Sequence, residues 1–205
     1  MKNIFYFILS ISSVLIILYS IVLIKSNYDY KLISCVQNAE LSKEESIMLR
    51  NLISNNLLLS NPNLGYQFDL NVVVEDVNLN QNRLVDLLSG ENMLIFRVSE
   101  SHCSSCDLVG LQCLEKNNSN IPERNIIIVG SFYNTKRMMD FKDEYNITSK
   151  MYNLKQSVNI GAEEHNFPYF IVINKDLVVL SCFFPEKSLP KFIDDYFLGI
   201  EHFFN

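Results

Sequence analysis

The residues with the clearest capacity for chemistry are two cysteines that are separated by two serines, Cys103-Ser104-Ser105-Cys106. A nearly continuous apolar run over 93–99 precedes them and helical spacing follows, which predicts that the pair lies at a strand–helix junction. There the first sulfur faces unsatisfied backbone N–H groups and the positive end of the helix dipole. We therefore expect Cys103 to have a lowered pKa and to act as the nucleophile. Cys106, one turn away, can attack a mixed disulfide held on Cys103.

The elements that must position this pair are predicted from the spacing of apolar residues. Helical spacing after Cys103 places Cys106, Val109, Gly110, Cys113 and Leu114 on one face. Further elements are a buried strand over 125–129, a helix over 135–145, a hairpin over 170–180 and a closing helix over 188–204. Alternating strands and helices favour a parallel part of a sheet, and the hairpin adds an antiparallel part. The predicted fold class is α/β, a mixed central sheet with helices on both faces.

Two segments, MLIFRVSESHCSSC and NFPYFIVINKDLVVL, together resemble the thioredoxin-like superfamily. Within this superfamily they resemble the membrane-anchored TlpA/ResA-type and redoxin-like thiol–disulfide oxidoreductases of bacteria, and the resemblance covers residues 68–204. The resemblance implies that Cys103 attacks, that Cys106 resolves, and that their redox-active disulfide is needed without any other cofactor. It also implies a cis Pro168 beside the disulfide, with the backbone at Phe167 and Pro168 pairing with an extended substrate segment.

The chain departs from the pattern of this superfamily at two positions near the cysteines. His102 stands where thioredoxins carry Trp; it is a candidate substrate-binding residue, and its imidazolium would lower the pKa of the neighbouring thiol. Arg97 stands where they commonly place a buried acid, so the proton acceptor for Cys106 is unassigned and Glu100 is a candidate. Arg97 is expected either to pair with an acid within the fold or to keep Cys103 anionic.

Other interpretations of the two cysteines stay open at this stage. They could form a structural disulfide, or they could bind copper or another soft metal together with His165, in a delivery or binding module of the same fold. No second pair of closely spaced ligands follows to complete a zinc site, so no metal is assigned. A peroxidase is disfavoured, because Glu100 occupies the position where peroxiredoxins place Thr or Ser.

The N-terminal segment is predicted to span a membrane. Residues 4–24 form an uncharged run of 21 residues, which as a helix would reach about 32 Å, enough for a bilayer core. A cleaved signal peptide and a lipoprotein acylated at Cys35 are the alternatives. Counting positive charges near the run would keep the following domain inside. The resemblance instead implies a single-pass protein of the cytoplasmic membrane with its C-terminal domain in the periplasm.

The remaining chain divides into a linker and one domain. A capping box from Ser42 to Glu45 begins a helix that extends to about Leu59. Alternation over 68–74 predicts a strand, and 84–88 predicts a short helix or turn. The predicted organisation is a transmembrane anchor over 1–25, a linker with an amphipathic helix over 26–65, and a thioredoxin-like domain over 66–205.

Composition limits the class of partner. With 17 Lys and Arg against 23 Asp and Glu, the formal net charge is −6, which argues against nucleic acid. The expected partners are thiols and disulfides of client proteins, an unidentified redox partner, and the membrane. Five cysteines are too few for a disulfide-dense scaffold; Cys113 and Cys182 are expected to be inert core, and the role of Cys35 is unassigned.

Overall fold

A computed structural model describes residues 43, 45–88, 90–102, 104–117 and 121–204. Contacts divide the chain into two units, Met1–Asn51 and Leu52–Asn205. In the first unit, residues 43 and 45–51 are helical. The second unit begins with helical residues 52–60, which we call α1. Within the described residues no helix is both long and apolar enough to cross a bilayer. The predicted span over 4–24, Cys35 and the predicted cap at Ser42 lie outside this part of the chain.

A mixed sheet forms the centre of the second unit. Its described strands are β1 (Val73–Glu75), β2 (Gln81–Arg83), β3 (Met93–Ser99), β4 (Ile126–Ser131), β5 (Lys150–Leu154), β6 (Tyr169–Ile173) and β7 (Val179–Phe183). Their spatial order is β2-β1-β5-β4-β3-β6-β7. β3, β4 and β5 run parallel, whereas β6 pairs antiparallel with β3 and β7 pairs antiparallel with β6. The predicted combination of a parallel part with an antiparallel hairpin is therefore confirmed.

Helices cover both faces of this sheet. They are α2 (Leu84–Leu87), α3 (Ser104–Asn117), α4 (Thr135–Glu144) and α5 (Pro190–Ile200). One core contains Leu94, Phe96 and Val98 of β3 and apolar residues of α3, α4 and α5. The other core contains Ile95 of β3 together with residues of α2, α1 and the loops. Because side chains of a strand alternate between faces, the near-continuous apolar sequence of β3 supplies both cores at once.

Gly110 of α3 allows a close approach to the sheet. A Cβ at this position would overlap the ring of Phe96 in β3, so a larger residue would push the helix away. Gly110 and Leu114 are buried and Cys113 is half-buried, as the helical spacing predicts. The closeness of α3 to β3 fixes the position of the helix N-terminus, where Cys106 lies.

Part of the predicted N-terminal strand is wrong, and two short strands were not predicted. Of the segment 68–74 only its end is a strand, because Asp69 makes a local turn in which its carboxylate accepts from the N–H of Asn71 at 2.8 Å. Strands β2 (QNR) and β5 (KMYNL) carry little apolar alternation. They form because neighbouring strands offer backbone partners, which sequence periodicity does not reveal.

Candidate functional site

Cys106 lies in the first turn of α3, directly after the loop that leaves β3. It is half-buried. β3 lies between β4 and β6 in the sheet, so the loop before α3 leaves the middle of the sheet. This is the strand–helix context that the sequence predicts for the cysteine pair. Cys103 itself is outside the described residues.

The segment around Pro168 reaches the same edge of the sheet. β6 pairs antiparallel with β3, and Tyr169 is opposite Arg97 near the end of β3. Pro168, which immediately precedes Tyr169, is buried, whereas 48% of the Phe167 surface is exposed. The register therefore brings the beginning of β6 next to the strand that leads to the cysteines, and it leaves Phe167 accessible at that edge.

The implied cis peptide bond before Pro168 is wrong for this structure. No peptide bond between described residues is cis, so the bond from Phe167 to Pro168 is trans. Asn166 ends the preceding 3₁₀ turn, Gly161–His165, with a left-handed φ of 54°. The chain changes direction at Asn166, and the intrinsically favoured trans bond continues from there into β6.

Arg97 is buried and pairs with an acid, the first of the two roles expected for it. Its Nε donates to Glu163 Oε1 at 2.7 Å, and a terminal nitrogen donates to Ser131 Oγ at 2.6 Å. The other terminal nitrogen donates to the carbonyls of Val98 and Val129. The guanidinium is thus held by β3, β4 and the turn Gly161–His165, and its charge is compensated without the cysteines.

Tyr169 extends this network to β6. Its hydroxyl donates to Glu163 Oε1 at 2.6 Å, and burial together with the nearby Glu163 carboxylate raises the pKa of Tyr169 well above its ordinary value. We call Arg97, Glu163 and Tyr169 the arginine network. Because Tyr169 directly follows Pro168, the hydrogen bonds of this network hold the backbone next to Pro168 in place. Glu163 was not identified from the sequence, since it lies 66 positions from Arg97.

A pair of buried titratable groups, His102 and Asp107, flanks the cysteines in the sequence. Their side chains are only 3% and 4% exposed, and His102 Nδ1 lies 3.7 Å from Asp107 Oδ1. That separation exceeds a hydrogen bond, and neither atom has a hydrogen-bond partner among the described residues. Burial raises the pKa of Asp107, and the nearby His102 opposes this shift. Sequence reasoning missed Asp107, although its place directly after Cys106 is a usable signal.

Glu100 has other partners than the cysteines. It accepts from the backbone N–H of Tyr133 at 3.2 Å and lies 3.6 Å from Arg137 Nε of α4. Its side chain is 37% exposed. A role as proton acceptor for Cys106 stays a prediction, and Asp107 is the buried acid that lies nearer to Cys106 in the chain.

A cavity of about 350 Å³ opens beside this end of α3. The end of β3, the following loop and the first turn of α3 contribute His102, Ser104 and Asp107 to its lining. Helix α4 and its surroundings contribute aromatic rings and further carboxylates. The cavity is therefore continuous with the residues that surround the cysteine pair in the sequence.

The other candidate residues lie away from this cavity. His165 is exposed, and its ring packs edge-on against Phe184 at 5.9 Å. Cys182 is buried, which raises its pKa to about 12, and burial likewise raises the pKa of Cys113; both fit the expected inert core thiols. The metal-site alternative includes Cys103, which lies outside the described residues, so it stays a prediction.

Comparison with known proteins gives similarity at the level of structure. No family model and no curated protein sequence matches the chain. The thioredoxin domain of a thiol-disulfide oxidoreductase from Bacteroides vulgatus superposes with a TM-score of 0.50 at 14% identity, over 68% of this chain and 99% of that one. A peroxidoxin from Mycobacterium tuberculosis gives 0.48 at 15%, over 67% and 97%. A thiol:disulfide interchange protein from a Bacteroides species gives 0.43 at 13%, over 65% and 91%. With its mixed sheet and flanking helices, the chain has the thioredoxin-like fold.

Proposed function

We propose that this protein is a thiol–disulfide oxidoreductase that exchanges disulfides with client proteins through Cys103 and Cys106. The observation that carries the proposal is the position of Cys106, half-buried in the first turn of α3 and directly after β3. A helix N-terminus stabilises a thiolate, and the two-residue spacing puts a second thiol within reach of the first. The exposed Phe167 and the buried Pro168 lie at the same sheet edge and would receive the client.

In the reducing direction, the Cys103 thiolate attacks one sulfur of a client disulfide. A Cys103–client disulfide forms, and the other client sulfur leaves as a thiolate that takes up a proton. Cys106 then loses its proton and attacks Cys103, which forms the Cys103–Cys106 disulfide and releases the second client thiolate. Two electrons pass from the protein to the client, and the redox partner must return them. Oxidation of a client runs through the same steps in reverse.

Trapping of clients tests this proposal. Cys106→Ser in the full-length chain is expected to accumulate mixed disulfides, because the resolving thiol is absent while Cys103 still attacks. Nonreducing electrophoresis and mass spectrometry of cells that express the variant measure these adducts. Cys103→Ser/Cys106→Ser is the control and should trap none. Absence of adducts with Cys106→Ser, together with no insulin reduction by the unmodified protein, would contradict the assignment.

We also propose that residues 4–24 anchor the protein in the cytoplasmic membrane and that the domain lies in the periplasm. The support is the uncharged run of 21 residues and the resemblance to membrane-anchored oxidoreductases. Deletion of 1–25 behind a cleavable export signal is expected to move the domain from the membrane fraction to the soluble periplasmic fraction. Protection of the full chain from protease in spheroplasts would contradict the orientation.

A further inference from the structure

The cavity beside α3 is rich in negative charge. Its lining includes the carboxylates of Glu100, Asp107, Asp140 and Glu144, against one guanidinium, that of Arg137. Arg137 lies near Glu100, at 3.6 Å, whereas Asp140 and Glu144 have no salt bridge within the described residues. Even with Arg137 counted, carboxylates are in excess, so the cavity favours a cationic ligand over an anionic one.

Aromatic rings form a row in the same lining. The ring centroids of Phe132 and Phe141 are 5.2 Å apart, and those of Phe141 and Tyr145 are 4.7 Å apart. The carboxylates of Glu144 and Asp107 both raise the pKa of the Tyr145 hydroxyl, after burial as the main cause. The aromatic rings and the carboxylates therefore line the same cavity. Aromatic faces attract ammonium and guanidinium groups, most strongly where water is displaced.

Two buried polar atoms in the lining lack partners. Asp107 Oδ1 and His102 Nδ1 belong to side chains that are more than nine-tenths buried, and neither accepts or donates a hydrogen bond among the described residues. An unsatisfied buried polar atom is costly. A ligand that brings N–H donors would satisfy Asp107 and could donate to a neutral His102 as well. The missing hydrogen bonds of these two atoms, which the count of carboxylates does not include, point to a ligand.

We infer that the cavity binds the side chain of a lysine or arginine of the client protein, close to the client cysteine that reacts with Cys103. A volume of about 350 Å³ lies within the range of small-ligand pockets, about 300–1,000 Å³. The inference rests on the proposed function and specifies its substrate class. Clients are those with a basic residue near the exchanging cysteine, and the site lies next to the cysteines because His102 and Asp107 flank them in sequence.

Exchange kinetics with matched peptides test this inference. Each peptide carries one cysteine in a mixed disulfide with a chromogenic thiol, and the peptides differ only in Lys, norleucine or Glu two positions from the cysteine. The reduced full-length chain is expected to react with the Lys peptide about tenfold faster than with the norleucine peptide, the gain of one charge-assisted hydrogen bond. The Glu peptide should react slowest.

The preference for Lys should fall to about twofold or less in Asp140→Asn/Glu144→Gln and in Asp107→Asn, because the excess of carboxylates is reduced. Asp176→Asn is the matched control, since Asp176 is an exposed carboxylate in the β6–β7 turn, and it should retain the full preference.

A binding measurement separates this inference from the proposed function. N-acetyl-lysine amide and N-acetyl-norleucine amide are titrated into the full-length chain while the His102 imidazole resonances are followed. A saturable shift with the lysine derivative alone supports the subsite, even if neither peptide exchanges and the proposed function fails. Equal exchange rates for the Lys and norleucine peptides, or no shift with the lysine derivative, would overturn the inference. Tighter binding of free cadaverine than of the lysine derivative would overturn its assignment to a client side chain.

Discussion

Two pairs of titratable groups, Arg97 with Glu163 and His102 with Asp107, lie near the end of β3, on opposite faces of the sheet. In the arginine network, Arg97 donates to a carboxylate, a hydroxyl and two carbonyls, and Glu163 also accepts from Tyr169. In the second pair, His102 and Asp107 are 3.7 Å apart and the facing atoms have no hydrogen-bond partner within the described residues. The polar atoms of the first pair are hydrogen-bonded within the fold, whereas the second pair lies buried in the lining of a cavity with its facing atoms unpaired.

The difference separates a structural role from a binding role. A buried charge is tolerated when hydrogen bonds replace its lost hydration, as they do around Arg97. Where such bonds are missing, as at Asp107, the structure retains a cost that a ligand can relieve. Burial does not distinguish Arg97 from Asp107, because 5% and 4% of their side chains are exposed. The partners of each atom distinguish them, and the following changes test that distinction.

The largest effect is expected from Arg97→Met. It leaves the Glu163 carboxylate without its cation. Breaking a buried ion pair typically costs about 3–5 kcal/mol of unfolding free energy, and because 26% of the Glu163 side chain is exposed, we expect a loss near the lower end, about 3 kcal/mol. Urea unfolding followed by circular dichroism measures the loss. Arg83→Met is the control, because Arg83 forms an exposed pair with Asp86 and should change stability little. Equal losses in the two variants would show that the arginine network is not structural.

Tyr169→Phe should have an intermediate effect. It removes one hydrogen bond to the Glu163 carboxylate but leaves Arg97 in place, so a loss of about 1.5 kcal/mol is expected. The same unfolding measurement applies. Tyr152→Phe in β5 is the matched control, because the Tyr152 hydroxyl has no hydrogen bond among the described residues and should contribute little. If Tyr152→Phe costs as much as Tyr169→Phe, the Tyr169 bond is not a specific contribution.

Asp107→Asn should change the stability least of the three. At neutral pH it should stabilise the protein, whereas the other two substitutions destabilise it. Burial raises the pKa of Asp107 above its ordinary value of 3.8, so the folded state binds the proton more tightly than the unfolded state. Below the ordinary value the acid is neutral in both states and carries no penalty. As the pH rises through the raised pKa, the wild type loses stability that the Asn variant keeps.

Unfolding midpoints at acidic and neutral pH measure this difference. The unfolding midpoint of Asp107→Asn should exceed that of the wild type only at the higher pH. His102→Gln should enlarge the pH-dependent loss, because His102 lowers the pKa of Asp107 and so reduces the penalty. A difference between Asp107→Asn and the wild type that does not change with pH would contradict the view that Asp107 is a buried, incompletely compensated acid.

Several parts of the site could be predicted from the amino-acid sequence. The near-continuous apolar run of β3, the change to helical spacing at the cysteines and the polar turn Asn174-Lys175-Asp176 each carry a local signal. Those signals predict β3, α3 and the β6–β7 hairpin, and the structure has all three. They are local because hydrophobic period and turn residues act within a few positions of the chain.

Local sequence patterns were sufficient to predict the order of the main strands and helices and the strand–helix junction at which Cys106 lies. Which titratable groups contact each other depends on the tertiary fold. Glu163 contacts Arg97 although the two lie 66 positions apart, and Asp107 and His102 are buried together in the lining of the cavity beside α3. Such pairings depend on which elements pack against each other, and the short strands β2 and β5 exist for the same reason. The periodicity of apolar residues predicts which face of an element a side chain lies on. The residue that this side chain contacts depends on how all the elements pack against the sheet.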